Sequence, residues 1–182
     1  MKQVIRNIRR LIRNCSGAAM TELALSLPLL TTIGLWGTEL ANFALINMKV
    51  HEVAIHLADN ASRVGDTSTL LNRKVYEGDI NDLFLGSLNF YDHGRAIISS
   101  LETQPANPSQ DYIHWQRCKG LKSWSSHYGT AGSNVSGMGP AGKQVTAPAG
   151  EAVIFVEVAY DYQPLISSRF IGATTITSIA SF

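Results

Sequence analysis

The rhythm of apolar positions changes once along the first third of the chain. From Ala18 to Trp36 nearly every residue is apolar, and Glu22 is the only ionisable one. About 20 apolar residues cross a bilayer as helix, so the run is just long enough. Beyond it, Leu40, Phe43, Ala44, Val50, Val53, Ala54, Leu57, Ala61 and Val64 recur at steps of three and four. Glu39, Lys49, Glu52 and Asp59 fall between them. That is the period of an amphipathic helix, and Gly65-Asp66-Thr67 is its stop signal. The pattern predicts one helix from about Ala18 to Val64, roughly 70 Å long at 1.5 Å per residue. Its first half is apolar all round and suits lipid. Its second half is a stalk with one face on a head domain and its charges in solvent. Pro28 removes one intrahelical hydrogen bond and clashes with the carbonyl of Ala24, so a kink is expected. Gly34 and Gly37 loosen the helix or admit a close neighbour.

After Gly65 the pattern shortens. Leu70–Tyr76 reads as a short helix, and Asp79 as the cap of a second one through Leu88. Arg95–Leu101 reads as a strand, Thr103–Asp111 with its two prolines as a loop, and Tyr112–Arg117 as a second strand. Lys119–Gly150 is rich in Gly and Ser and lacks periodicity, so a mobile loop is expected. In Ala152–Tyr162, the residues Ala152, Ile154, Val156, Val158 and Tyr160 share one strand face, and Pro164 ends the strand. Ile171–Ile179 alternates again, with Ile171, Ala173, Thr175, Thr177 and Ile179 together. A long helix, then short helices, then late strands gives an α+β fold: a transmembrane and stalk helix carrying a small head with a mainly antiparallel sheet. The units are residues 1–17, 18–64 and 65–182.

Charge orients this arrangement. Lys2, Arg6, Arg9, Arg10 and Arg13 precede any acid, which leaves 10 Lys and Arg against 14 Asp and Glu in the rest. A basic tip before an apolar run places the N-terminus in the cytoplasm and the head outside it. The folded part has no basic excess, which argues against nucleic acid as a partner. The small residues Ser16, Gly17, Ala18 and Ala19 precede the apolar run. In an ordinary signal peptide they would follow it. Cys15 and Cys118 would be separated by the membrane, so no disulfide between them is expected. Cys118 reads as a buried small hydrophobe, with a thiol that pairs with another chain as the alternative.

Two lookalike motifs each fail by one residue. His51-Glu52-Val53-Ala54-Ile55-His56 is one residue too long for the zinc pattern H-E-x-x-H. Residues five apart differ by about 140° around a helix and cannot grip one metal. Gly137–Gln144 misses the phosphate-loop pattern at one residue, with Gln144 where a hydroxyl must hold magnesium. Asn60 and Asn134 match the glycosylation pattern, which arises often by chance. No catalytic, cofactor-binding or metal-binding residue is predicted. Trp115, Arg117 and Trp124 read as parts of a small sheet domain.

Glu22 resists a bland reading, because a carboxylate in a spanning helix is costly unless it is paired or reaches water; it lies about one turn inside the apolar run, so snorkelling to the interface is the alternative to pairing. Arg9-Arg10-x-x-Arg13, Gly17, Glu22 and the stretch Gly17-Ala18-Ala19-Met20-Thr21-Glu22-Leu23-Ala24-Leu25-Ser26-Leu27-Pro28 resemble the N-terminus of the TadE-like family. These are pilin-like subunits of tight adherence (Flp-type) pilus systems. The resemblance covers about residues 13–60, and Leu23 stands where the family often has Phe. In the head it extends only to Trp115-Gln116-Arg117 and to Tyr160, Tyr162 and Pro164.

The resemblance implies that residues 1–17 are a leader, removed by a prepilin peptidase between Gly17 and Ala18. It implies that Glu22 then pairs with the new N-terminal amine of a neighbouring pilin-like subunit. It further implies an inner-membrane assembly platform as partner, beside the lipid bilayer, and a role in pilus biogenesis and surface attachment. The rival expectation is an uncleaved single-pass anchor whose outer domain binds a periplasmic partner. A membrane-tethered enzyme is the remote third.

Overall fold

The computed structural model describes residues 16–63 and 90–182. The basic residues Lys2 to Arg13, Cys15, Val64, the stop at Gly65 and the expected helices Leu70–Tyr76 and Asp79–Leu88 lie outside the described residues.

The continuous apolar-to-amphipathic pattern forms one helix, α1, Ser16–Arg63, of 48 residues with Pro28 inside it. A four-residue helix that the pattern did not reveal, α2 (Phe90–His93), leads into the sheet. The strands are β1 (Gly94–Gln104), β2 (Asn107–Lys119), β3 (Asn134–Val135), β4 (Ala152–Asp161) and β5 (Thr175–Ser181). Their order is β3-β2-β1-β4-β5, with every pairing antiparallel. The chain is therefore α+β, a long apolar N-terminal helix followed by an antiparallel sheet, as in pilin-like folds.

Four readings of the head need correction. The expected loop Thr103–Asp111 is a hairpin closed by the pair Gln104 and Asn107. Its prolines do not break the strands, because Pro105 sits in the two-residue turn and Pro108 in a register irregularity where no ladder N–H is required. The last strand begins at Thr175, so Ile171 and Ala173 precede it. Cys118 is exposed. It pairs with Ile97 on the sheet face turned away from the helix, one residue from the end of β2.

The sheet has two packed faces. On one, Ile46, Val50, Ala54, Leu57, Ala58 and Ala61 of α1 meet Ala96, Ile98, Ile154, Val156, Val158, Tyr160 and Ile176. The small alanines let the helix lie close over β4 and β5. On the other face, Leu101, Ile113 and Phe155 pack with Val135, Met138 and Ala147 of the Gly- and Ser-rich segment. The extra residue His114 in β2 lets Trp115 face the helix side and Ile113 the opposite side.

The expected mobile loop Lys119–Gly150 is thus a packed cover. Met138 is fully buried and exchanges backbone hydrogen bonds with Val145, 2.9 and 2.8 Å. The phosphate-loop lookalike is the turn between them, with Gly142 at positive φ. Gly120 has φ 109, and a Cβ there would stand 2.2 Å from the Gly94 carbonyl oxygen. Such reversals erase periodicity without removing burial, which is why the sequence pattern failed there.

Candidate functional site

α1 presents two surfaces that differ in kind. From Gly17 to Thr38 every residue is exposed except the half-buried Ser26, including Met20 at 72 % and Leu25 at 78 %. By length and composition this helix can cross a membrane. Its hydroxyls are already satisfied by its own backbone. Thr21 donates to the Ala18 carbonyl at 2.8 Å, Thr31 to Leu27 at 2.9 Å, Thr32 to Pro28 at 2.7 Å and Thr38 to Gly34 at 3.0 Å. Ser26 reaches the Leu23 carbonyl at 3.4 Å. Such internal bonding is what a polar side chain needs where water is absent.

Glu22 is different. It is exposed and has no hydrogen bond or ion pair among the described residues. Ala18 lies four residues before it, on the same face of the helix. Gly17 has open space where a side chain would be. Gly17, Ala18 and Glu22 therefore fall together within about two turns of one exposed stretch of helix.

Glu39 was expected among the solvated stalk charges, and the structure buries it completely. It occupies the first position of the stripe that continues through Phe43, Ile46 and Val50. The Tyr162 hydroxyl donates to its Oε1 at 2.5 Å, the Leu165 N–H to the same oxygen at 3.1 Å and the Ile166 N–H to Oε2 at 2.8 Å. Asn42 donates to the Tyr162 oxygen at 3.0 Å, and Phe43 meets the Tyr162 ring edge-on. Donors around both carboxylate oxygens offset the loss of water. Glu39 ties the β4–β5 connection to the helix just beyond Trp36. The spacing of 39 from 43, 46 and 50 was the signal that could have shown it.

The other chemistry-bearing groups are dispersed. His51 shares a 2.9 Å hydrogen bond with Ser178 of β5, whereas His56 is 3.7 Å from Glu52 on the exposed side. Their different directions follow from the five-residue spacing. Glu157 lies beneath an open cavity of about 570 Å³ lined by Trp124, His127, Tyr128 and Ile179. It accepts from the Ser126 hydroxyl and from the His127 N–H at 3.1 Å. Burial nevertheless pushes its carboxyl above the usual range, outweighing those donors. Burial of Asp161 acts in the same sense, but Lys122 and Thr175 bond to it and hold it below the usual range. Arg117 lies 5.9 Å over the Trp115 ring, and Trp115 packs against the helix-side core.

No protein-family model, curated protein or solved structure matches the chain.

Proposed function

We propose that this protein is a minor pilin or pseudopilin of a tight adherence (Flp-type) pilus system, held in the inner membrane by residues 18–36 with its head outside the cytoplasm. The observation that carries the reading is the state of Glu22. Every hydroxyl of the apolar half is satisfied within the helix, while its one carboxylate lacks a partner among the described residues. A charge in lipid must find a cation, and cleavage after Gly17 would create one, the Ala18 amine, at the same depth. The basic residues Lys2, Arg6, Arg9, Arg10 and Arg13 hold the leader in the cytoplasm, where a prepilin peptidase works. The pairing is costly to leave unmade and satisfied only between subunits, so it would set register in an assembly. No catalytic role is assigned to any residue.

The test has two parts. The protein is expressed with and without the matching prepilin peptidase and its N-terminus is read. The expected first residue is Ala18 with the peptidase, and Gly17→Val should block cutting. Glu22→Gln keeps the shape and removes the charge. The expected product is cleaved, inserted and folded, yet fails to co-purify with the other pilin-like subunits from detergent, with loss of surface pili. An intact Met1 in both strains would falsify processing and leave a single-pass anchor with an outer binding domain. Wild-type co-purification and piliation by Glu22→Gln would remove the pairing role.

A further inference from the structure

Exposed apolar side chains are distributed unevenly over the head. In residues 90–182 the large exposed hydrophobics are Tyr91, Leu121 at 63 %, Leu165 at 67 %, Ile166 and Phe182 at 54 %. Four of these five lie at one end of the sheet. Gly94 pairs with Tyr160, the Leu121 N–H bonds to the Tyr91 carbonyl, and the Lys122 N–H bonds to that of Gly94. Leu165 and Ile166 follow β4 at that same end. Phe182 is at the other end, paired with Ile154.

The crowded end is the one next to the apolar half of α1. Leu165 and Ile166 donate their backbone N–H groups to Glu39. Glu39 is three residues, about 4.5 Å of rise, past Trp36. Ala18–Trp36 spans about 28 Å as helix, close to the hydrocarbon thickness of about 30 Å. Trp36 therefore falls where aromatic residues sit at a membrane surface, and the tethered loop falls level with it. Lys119, 5.7 Å over the Tyr91 ring, and the exposed Arg169 add cations at this end, against Asp92 as an exposed acid.

We infer that this end of the head is a second membrane contact: Leu165 and Ile166, with Leu121 and Tyr91 beside them, rest in the bilayer interface around the helix. The occupant is the lipid surface, because the helix already passes into it at the level where Glu39 holds the loop. Aliphatic side chains with flanking cations suit the boundary between acyl chains and headgroups. The contact fixes the tilt of the head, and Glu39 is its positioning residue, acting through the loop backbone. This inference rests on the reading of residues 18–36 as a membrane anchor.

The experiment uses the full chain with Cys15→Ser and Cys118→Ser, reconstituted in phosphatidylcholine vesicles containing one-quarter phosphatidylglycerol. Single spin labels are placed through Leu35→Cys, Leu165→Cys or Phe182→Cys. Accessibility to oxygen, which partitions into lipid, is compared with accessibility to a water-soluble nickel complex. The expected result is loss of nickel accessibility at 165 to nearly the level at 35, with 182 remaining water-like. If 165 matches 182 while 35 is protected, the contact is absent and the anchor stands. If 35 is also water-like, the anchor fails and the inference with it. Spin–spin broadening at 165 without a lipid signature would give this face to a second copy of the chain and overturn the inference. Glu39→Gln in the Leu165→Cys background should restore nickel accessibility at 165 while leaving a label at 35 unchanged.

Discussion

The two halves of α1 share one backbone and solve opposite problems. From 39 to 61 the helix buries a residue every three or four positions against β4 and β5, so its amphipathic face is matched within the chain. From 17 to 38 it buries none, although it is the more apolar half. Hydrophobic burial is worth about 25 cal/mol per Å², so a surface of this kind is covered by something in use. The two carboxylates repeat the contrast. Glu39 is surrounded by donors from Tyr162, Leu165 and Ile166, while Glu22 has none among the described residues. One half of the helix is finished by folding, and the other is finished by what surrounds it.

The largest expected effect would break this comparison if it failed. Leu57 is buried and Leu25 is exposed at 78 %. Leu57→Ala should destabilise the head by about 2–5 kcal/mol through lost burial and a cavity. Leu25→Ala should leave head stability within about 0.5 kcal/mol. Denaturant unfolding in detergent, followed by near-ultraviolet circular dichroism, measures both. Equal losses would mean that the apolar half also packs on the head.

A smaller effect separates the carboxylates. Glu39→Gln removes the charge and leaves one oxygen to accept where Glu39 has two, setting an NH2 group against the donor on the other side, so amide exchange at Leu165 and Ile166 should quicken on the order of tenfold. Glu22→Gln should leave exchange at those two amides unchanged. Faster exchange there in Glu22→Gln would couple the two ends of the helix and undo the division.

The smallest effect is a pH dependence. Glu157 has its carboxyl raised by burial. The native state therefore holds its proton more tightly than the unfolded chain. The resulting stability is fully present below the ordinary carboxylate range and is lost as pH rises through the raised native value. Glu157→Gln should flatten that slope above about pH 4. Amides of Val50–Ala61 fold with the sheet and should follow the same dependence, whereas those of Met20–Leu35 should not. A common slope in both stretches would mean that the helix unfolds as one unit.

Much of this protein follows from its sequence alone, because a helix announces itself through a period that needs no distant partner. The apolar run Ala18–Trp36, the three-and-four spacing after it and the alternation of Ile154, Val156, Val158 and Tyr160 were all legible, and each is an element of the fold. The isolation of Glu22 in an apolar surround was legible for the same reason. Other features depended on contacts between residues far apart in the chain. Glu39 looked like a solvated stalk charge until β4 brought Tyr162 and the following loop to it, more than 120 residues later. Pro105 and Pro108 suggested a loop, but the pairing of β1 with β2 carries the strands past both. Cys118 is of a residue type usually found in cores, yet it lies exposed one residue from the end of β2. The Gly-rich segment shows no period because its chain reverses repeatedly at glycines. Only the apolar face of Leu101, Ile113 and Phe155 decides that Met138 is buried there. Local periodicity sets the elements, and partners distant in the chain decide which polar groups are hidden and which apolar ones remain outside.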